Sequence, residues 1–299
     1  MSRPAIVFIT LITLCGTLSI GAQVPHPYLT MVSPIGGTHG RTVSVTIEGI
    51  NLSGATAVIF DKPGLRGRIL LNAEVARTEP GPSTDPTRRY EGDRAVRNRL
   101  QVEVTIDPHA VAGDYNLRLV TPLGTSSASP FIVGALPETS EREENDLPAL
   151  AQSINLPTTV VGEMQAIGDR DHYRFNARAG QELVFEVVAT AFGARLDAVL
   201  TLTDQAGQTL ATSLGARGRR DALLAHRFAA TGQYTIQISD YEQRGMGKPN
   251  EFGYRLNIGE LLVVTSWFPL GLRQGTTATI ALEGHNLPRR QLQVEAPPR

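Results

Sequence analysis

Two short stretches concentrate the side chains able to do chemistry. "EREEND" places Glu141, Glu143, Asn145 and Asp146 within six residues, and "GDRDHYRF" adds Asp169 and Asp171 just before a strand-like run. In extended backbone, residues two apart share a side, so Glu141, Glu143 and Asn145 offer oxygens in one direction, as do Asp169 and Asp171. Calcium takes about six to eight such oxygens, backbone carbonyls included. Carboxylates crowded without a cation repel one another, so an ion would relieve a real cost. The spacing nominates these six residues as a structural calcium site. The competing assignment is a solvated acidic linker, with Asp169 and Asp171 capping a turn.

Other chemistries find no constellation. The six histidines are His26, His39, His109, His172, His226 and His285, and none stands in H-E-x-x-H or in a close pair. No G-x-S-x-G elbow or Walker loop occurs. We expect the histidines to be surface or capping residues, no residue to be catalytic and the chain not to be an enzyme. Trp267 is the single tryptophan. Tyr173, Phe175, Phe185, Tyr234 and Tyr254 alternate with polar residues and read as core, whereas Tyr90 and Tyr241 sit in polar, loop-like settings. The arginines at 88, 89, 94, 97 and 99 are interleaved with acids. With a net charge of −1, nothing points to nucleic acid.

The elements that must hold the acidic residues are strands. The 29 glycines and 19 prolines favour turns. Residues 1–22 read as a signal peptide: Arg3, an apolar stretch, and "IGA" before Gln23. The expected location is therefore secreted, periplasmic or cell-surface, with no transmembrane anchor in the mature chain. The only cysteine, Cys15, lies within that peptide, so the folds rest on cores, or on cores plus metal. "TVSVTIEGI" alternates Val43, Val45 and Ile47 against Thr42, Ser44 and Thr46; "TAVIF", "LQVEVTI", "YNLRLVT" and "SPFIVG" follow with turns between them. Arg77–Arg99 reads as a long exposed loop. "GALPETSEREENDLPALAQ" has linker composition, with one helical turn in "LPALAQSI". A second β-rich block spans about 159–259, with "QAGQ" as a hairpin turn.

One phrase is written twice. "TMVSPIGGTHGRTVSVTIEGINL" at Thr30 aligns without a gap with "TSWFPLGLRQGTTATIALEGHNL" at Thr265, and nine of the 23 positions are identical, among them Pro34/Pro269, Gly36/Gly271, Gly49/Gly284 and Asn51/Asn286. Pro34 is expected to start an edge strand, and Gly49 with Asn51 to supply positive-φ backbone. Residues 261–299 can supply two or three strands, whereas a sandwich of this kind needs about seven. We expect them to be poorly packed or to lean on their neighbour, as the cut-short second member of an array.

Residues 138–259 resemble the bacterial pre-peptidase C-terminal domain. The carriers are Glu141–Asp146, Gly162–Met164, Gly168–Phe175, Ala179–Gln181 and Gly232–Ile236, in the family's order. The resemblance implies a jelly-roll-like sandwich that accompanies secreted peptidases. It also implies calcium at Glu141, Glu143, Asn145, Asp146, Asp169 and Asp171. The repeated phrase is similar to the opening of immunoglobulin-like modules of the IPT/TIG type, through Ser33, Pro34, Gly40, Val43, Gly49, Asn51 and Leu52. The expected fold is all-β, with tandem β-sandwiches: a signal peptide at 1–22, an immunoglobulin-like unit at 23–135, a jelly-roll-like unit at 136–260 and an incomplete third β module at 261–299. The expected function is that of a non-catalytic exported binding or spacer protein on an extracellular polymer or cell-surface component. The alternative is an accessory, substrate-targeting or processed fragment of a larger secreted peptidase.

Overall fold

The computed structural model describes residues 26–74, 97–215, 221–245 and 251–298. The signal peptide, Cys15, Tyr90 and most of the loop expected at 77–99 lie outside the described residues. Arg97 and Arg99, expected in that loop, stand on a strand instead. The chain is all-β, in tandem sandwiches.

The first unit carries β1 (Tyr28–Ser33), β2 (Gly36–Thr38), β3 (Thr42–Ile50), β4 (Ala57–Phe60), β5 (Leu65–Glu74), β6 (Arg97–Ile106), β7 (Gly113–Thr121), β8 (Gly124–Thr125) and β9 (Ser129–Gly134). They join as one sheet in the order β1-β3-β6-β5-β4-β7-β9-β2, with β8 beside β7, folded over a single core. That core gathers Val32, Val45 and Ile47 from one side and Leu117, Leu119 and Phe131 from the other. The alternation in Thr42–Ile50 turned Val45 and Ile47 inward, and both are fully buried.

The second unit carries β10 (Glu138–Ser140), β11 (Gln152–Ser153), β12 (Thr158–Glu163), β13 (Arg170–Ala177), β14 (Glu182–Val188), β15 (Ala198–Thr203), β16 (Thr209–Leu214), β17 (Leu223–Arg227), β18 (Gly232–Asp240) and β19 (Gly253–Gly259). Two five-stranded sheets, β10-β12-β19-β14-β17 and β11-β13-β18-β15-β16, face each other. Tyr173, Phe175, Phe185, Tyr234 and Tyr254 lie in the core between them, as their alternation required. The segment of linker composition is not a linker. Its ends pair in parallel with β12 and β13, so backbone hydrogen bonding fixes the acidic stretch to both sheets. A single 3-10 turn at Pro148–Leu150 matches the helical turn expected there.

Arg255 of β19 sits at the junction of these units. It is buried and paired with Glu138 at 2.5 Å. A Cβ on Gly36 would meet its Nη1 at 2.9 Å. Beyond it, β20 (Val263–Phe268), β21 (Thr277–His285) and β22 (Gln291–Glu295) form a three-stranded sheet. It leans on the second unit: His285 Nδ1 is 2.9 Å from Glu182 Oε1, and Asn286 Nδ2 donates to the Glu182 carbonyl at 3.3 Å.

Both copies of the repeated phrase fold alike. The Ser33–Pro34 and Phe268–Pro269 peptides are both cis, and Asn51 and Asn286 have φ of 58° and 51°. Two details differ from expectation. Pro34 follows β1 rather than opening a strand. Gly49 owes its place to close approach rather than to positive φ, since a Cβ there would lie 2.4 Å from the Tyr28 carbonyl oxygen.

Candidate metal centre

The acidic residues converge where the segment between β10 and β11 crosses the entry to β13. Asp171 belongs to the inward row of β13 that continues as Tyr173 and Phe175. Asp169, two residues earlier, shares that side. The carboxylates of Glu143, Asp146, Asp169 and Asp171 bring ligand oxygens within 4.8 Å of one another, with the first two exposed and the last two buried. A metal ion could be held there by oxygen donors, the set that suits a hard cation.

Two atoms make the fit specific. Asp169 Oδ1 is buried and has no hydrogen-bond partner, while its Oδ2 accepts from the Gln165 N–H at 2.5 Å. A buried carboxylate oxygen left unpaired is costly. The other is on the fully buried Asn145 amide, one end of which lies 3.1 Å from Asp171 Oδ1 and 3.2 Å from Glu143 Oε2. With nitrogen at that end, Asn145 donates to both carboxylates. With oxygen there, three oxygens face one another, and only a cation between them would favour that setting.

The electrostatics agree. Burial first, then repulsion from Glu141, pushes the Asp171 carboxyl up to about 10. Burial raises Asp169, with Asp146 adding to the shift. Burial also raises Glu143, and Glu141, Asp169 and Asp146 reinforce it. Each shift is the signature of a charge with too few compensating partners.

Glu141 stands behind this group. Its Oε1 accepts from Tyr173 at 2.9 Å and lies 3.0 Å from the Tyr254 hydroxyl oxygen, and its Oε2 accepts from the Glu163 N–H at 2.9 Å. Both oxygens are thus engaged by protein donors. A Cβ on Gly162 would meet the Tyr254 hydroxyl at 2.4 Å and Glu141 Oε2 at 2.8 Å, so a glycine there lets this pair approach β12.

Sequence reading missed two supports. His172, expected to be a surface or capping residue, is buried. Its backbone N–H donates to the Asn145 carbonyl at 3.1 Å, and its Nδ1 lies 3.1 Å from the same oxygen. The tyrosine hydroxyls were the other omission, because alternation marks Tyr173 and Tyr254 as core without saying what their polar ends meet. Tyr241 is exposed, as expected from its polar setting.

No protein-family model and no curated protein matches the chain. Among solved structures, the pre-peptidase C-terminal domain of a collagenase from Bacillus anthracis is 19% identical, covering 38% of this chain and 99% of that one, with a TM-score of 0.31. The secreted serine protease VesC from Vibrio cholerae is 10% identical over 75% of this chain and 48% of its own, TM-score 0.24. The Bacteroides ovatus protein SGBP-B of a mixed-linkage glucan utilization locus, solved with a mixed-linkage heptasaccharide, is 13% identical over 88% of this chain and 64% of its own, TM-score 0.24. Likenesses of this strength assign neither a family nor a function.

Proposed function

We propose that this is a non-catalytic, exported binding or spacer protein in which a structural calcium ion fixes the segment Glu141–Asp146 against the second sandwich. Glu143, Asn145, Asp146, Asp169 and Asp171 supply its oxygens, and Glu141 acts from behind through Tyr173 and Tyr254. The observation that carries the calcium assignment is the buried, unpaired Asp169 Oδ1 beside three further carboxylates. The segment so fixed leads directly from Glu138, the partner of Arg255 at the junction with the first unit. Calcium therefore stiffens the part of the chain that sets one sandwich against the other, and the stiffened pair presents its loops to an extracellular polymer.

The test has two arms. After EDTA stripping, millimolar Ca²⁺ should raise the melting temperature, because a ligand that binds only the folded state stabilises it; at a hundredfold excess over Kd the gain is about 2.7 kcal/mol. An unchanged melting temperature would refute the site. Separately, sedimentation with insoluble collagen, cell walls and mixed-linkage glucan should show retention on at least one. Loss to the supernatant in every case would remove the binding assignment while leaving the calcium result intact.

A further inference from the structure

The third unit repeats half of the first, strand by strand. β20 and β21 pair antiparallel with a register shift at Val264/Ser266, as β1 and β3 do at Leu29/Met31. β22 then lies against β21 as β6 lies against β3, but two residues along: Leu292 pairs with Ile280, whereas Leu100 pairs with Ile47, the counterpart of Leu282. Its sequence repeats that of β6: Leu292–Glu295 and Leu100–Glu103 both read "LQVE". The sheet β20–β22 is thus the counterpart of β1-β3-β6.

In the first unit, the inner face of that sheet is covered by β4, β7 and β9. Val32, Val45 and Ile47 are 2%, 0% and 0% exposed, packed in one core with Leu117, Leu119 and Phe131. Their counterparts in the third unit are Trp267, Ile280 and Leu282. Trp267 pairs directly with Leu282, and Ile280 with Leu292, so the four side chains form one uncharged face. Trp267 is 52% exposed and Leu292 40%.

A glycine records what is absent beside it. Gly36 is packed so tightly that a Cβ would lie 2.2 Å from the carbonyl oxygen of Ile132 on β9, its parallel partner. Its counterpart Gly271 has nothing within 4 Å of the same position. The repeat keeps the glycine that a β9-type strand requires, and among the described residues no such strand lies beside Gly271.

We propose that the open face of β20–β22 docks a strand-bearing polypeptide outside residues 1–299, which supplies counterparts of β4, β7 and β9. Its β9 counterpart runs parallel beside Gly271, and its inward residues alternate as Leu117, Leu119 and Phe131 do. Burial of a contiguous apolar sheet face against a second sheet is the driving force. The proposal is independent of calcium.

Trp267, as the single tryptophan, reports on this face without labelling. The test tethers residues 113–134 to the full chain after Arg299 through a flexible glycine–serine linker, which raises the effective concentration to about millimolar. A control graft carries serine in place of Leu117, Leu119 and Phe131 in the added copy. The active graft should shift Trp267 emission to shorter wavelength and cut acrylamide quenching several-fold, and the control graft should do neither. Equal emission and quenching in the two grafts would overturn the proposal. So would light scattering showing that the ungrafted chain is already a dimer with Trp267 shielded, since the occupant would then be a second copy.

Discussion

The Tyr254 hydroxyl lies 2.6 Å from Asp171 Oδ2, at the buried floor of the acidic cluster. Tyr173 donates in turn to Glu141 at 2.9 Å, and the two phenol oxygens are 2.5 Å apart. Two hydroxyl protons thus serve two carboxylates in a place closed to water. Tyr254→Phe leaves Asp171 without that donor. It should destabilise the second unit by about 1–3 kcal/mol and weaken calcium binding roughly tenfold or more, as loss of an outer-shell partner does. Denaturant midpoints with and without Ca²⁺ would measure both effects.

Asp169→Asn removes one ligand charge while keeping shape. The variant should lose most of the calcium-dependent rise in melting temperature. In EDTA it should be as stable as the parent chain or more so, because the repulsion that raises Asp169 is relieved. Calorimetric scans in EDTA and in Ca²⁺ give the two numbers, and a variant that still gains the full increment would place the ion elsewhere.

A well-compensated acid of the second unit predicts a pH dependence of ordinary sign. Asp240 closes a network: its Oδ1 accepts from the Asp197 N–H at 2.8 Å and its Oδ2 from the Arg244 N–H at 2.9 Å. Arg244 also reaches Asp197 Oδ2 at 2.6 Å. Burial alone would raise Asp240, but the Arg244 side chain and the two backbone donors outweigh it and hold the carboxyl below its usual value. A depressed carboxylate stabilises the fold above the unfolded pKa of about 3.9. That contribution is lost as pH falls below this value and through the folded one. Acid unfolding followed by circular dichroism should show Asp240→Asn less stable at neutral pH by about 2–4 kcal/mol. The difference should shrink below roughly pH 4.

The lean of the third unit rests on few contacts. Asn286 Nδ2 reaches the Glu182 carbonyl at 3.3 Å, while His285 meets the Glu182 side chain. Hydrogen bonding from His285, then pairing with Arg227 against a burial penalty, holds the Glu182 carboxyl below its usual value. His285→Ala with Asn286→Gly keeps the positive-φ backbone and removes these contacts. Limited proteolysis should then cut between 259 and 277 several-fold faster, with the melting of the second unit changed by less than about 1 kcal/mol.

Much of this architecture was legible in the amino-acid order. Period-two alternation marked β3, β6, β7, β13 and β18, because a half-buried strand must turn every second residue inward. The repeated phrase announced a second copy of one strand pair. Other parts were hidden. β5 was missed because the alternation of Leu65, Gly67 and Ile69, half-buried against the core, breaks at the register shift between Ile69 and Leu71, where Leu70 and Leu71 are exposed. The acidic stretch read as linker because composition does not reveal parallel pairing with strands some twenty residues away.

The sequence by itself determined which oxygens stand near one another along the chain: Glu141 to Asp146 in one segment, Asp169 and Asp171 in the other. Covalent spacing and strand geometry suffice for that. Only the tertiary structure decided that the two groups meet, that Asp169 Oδ1 is buried without a partner, and that Glu141 is turned to Tyr173 and Tyr254. Those outcomes depend on sheet register and on which polar atoms lose water together, and neither is written in local order. The same division holds at Gly36 and Gly271. One residue type is repeated, and among the described residues the presence or absence of a strand beside it separates a closed core from an open face.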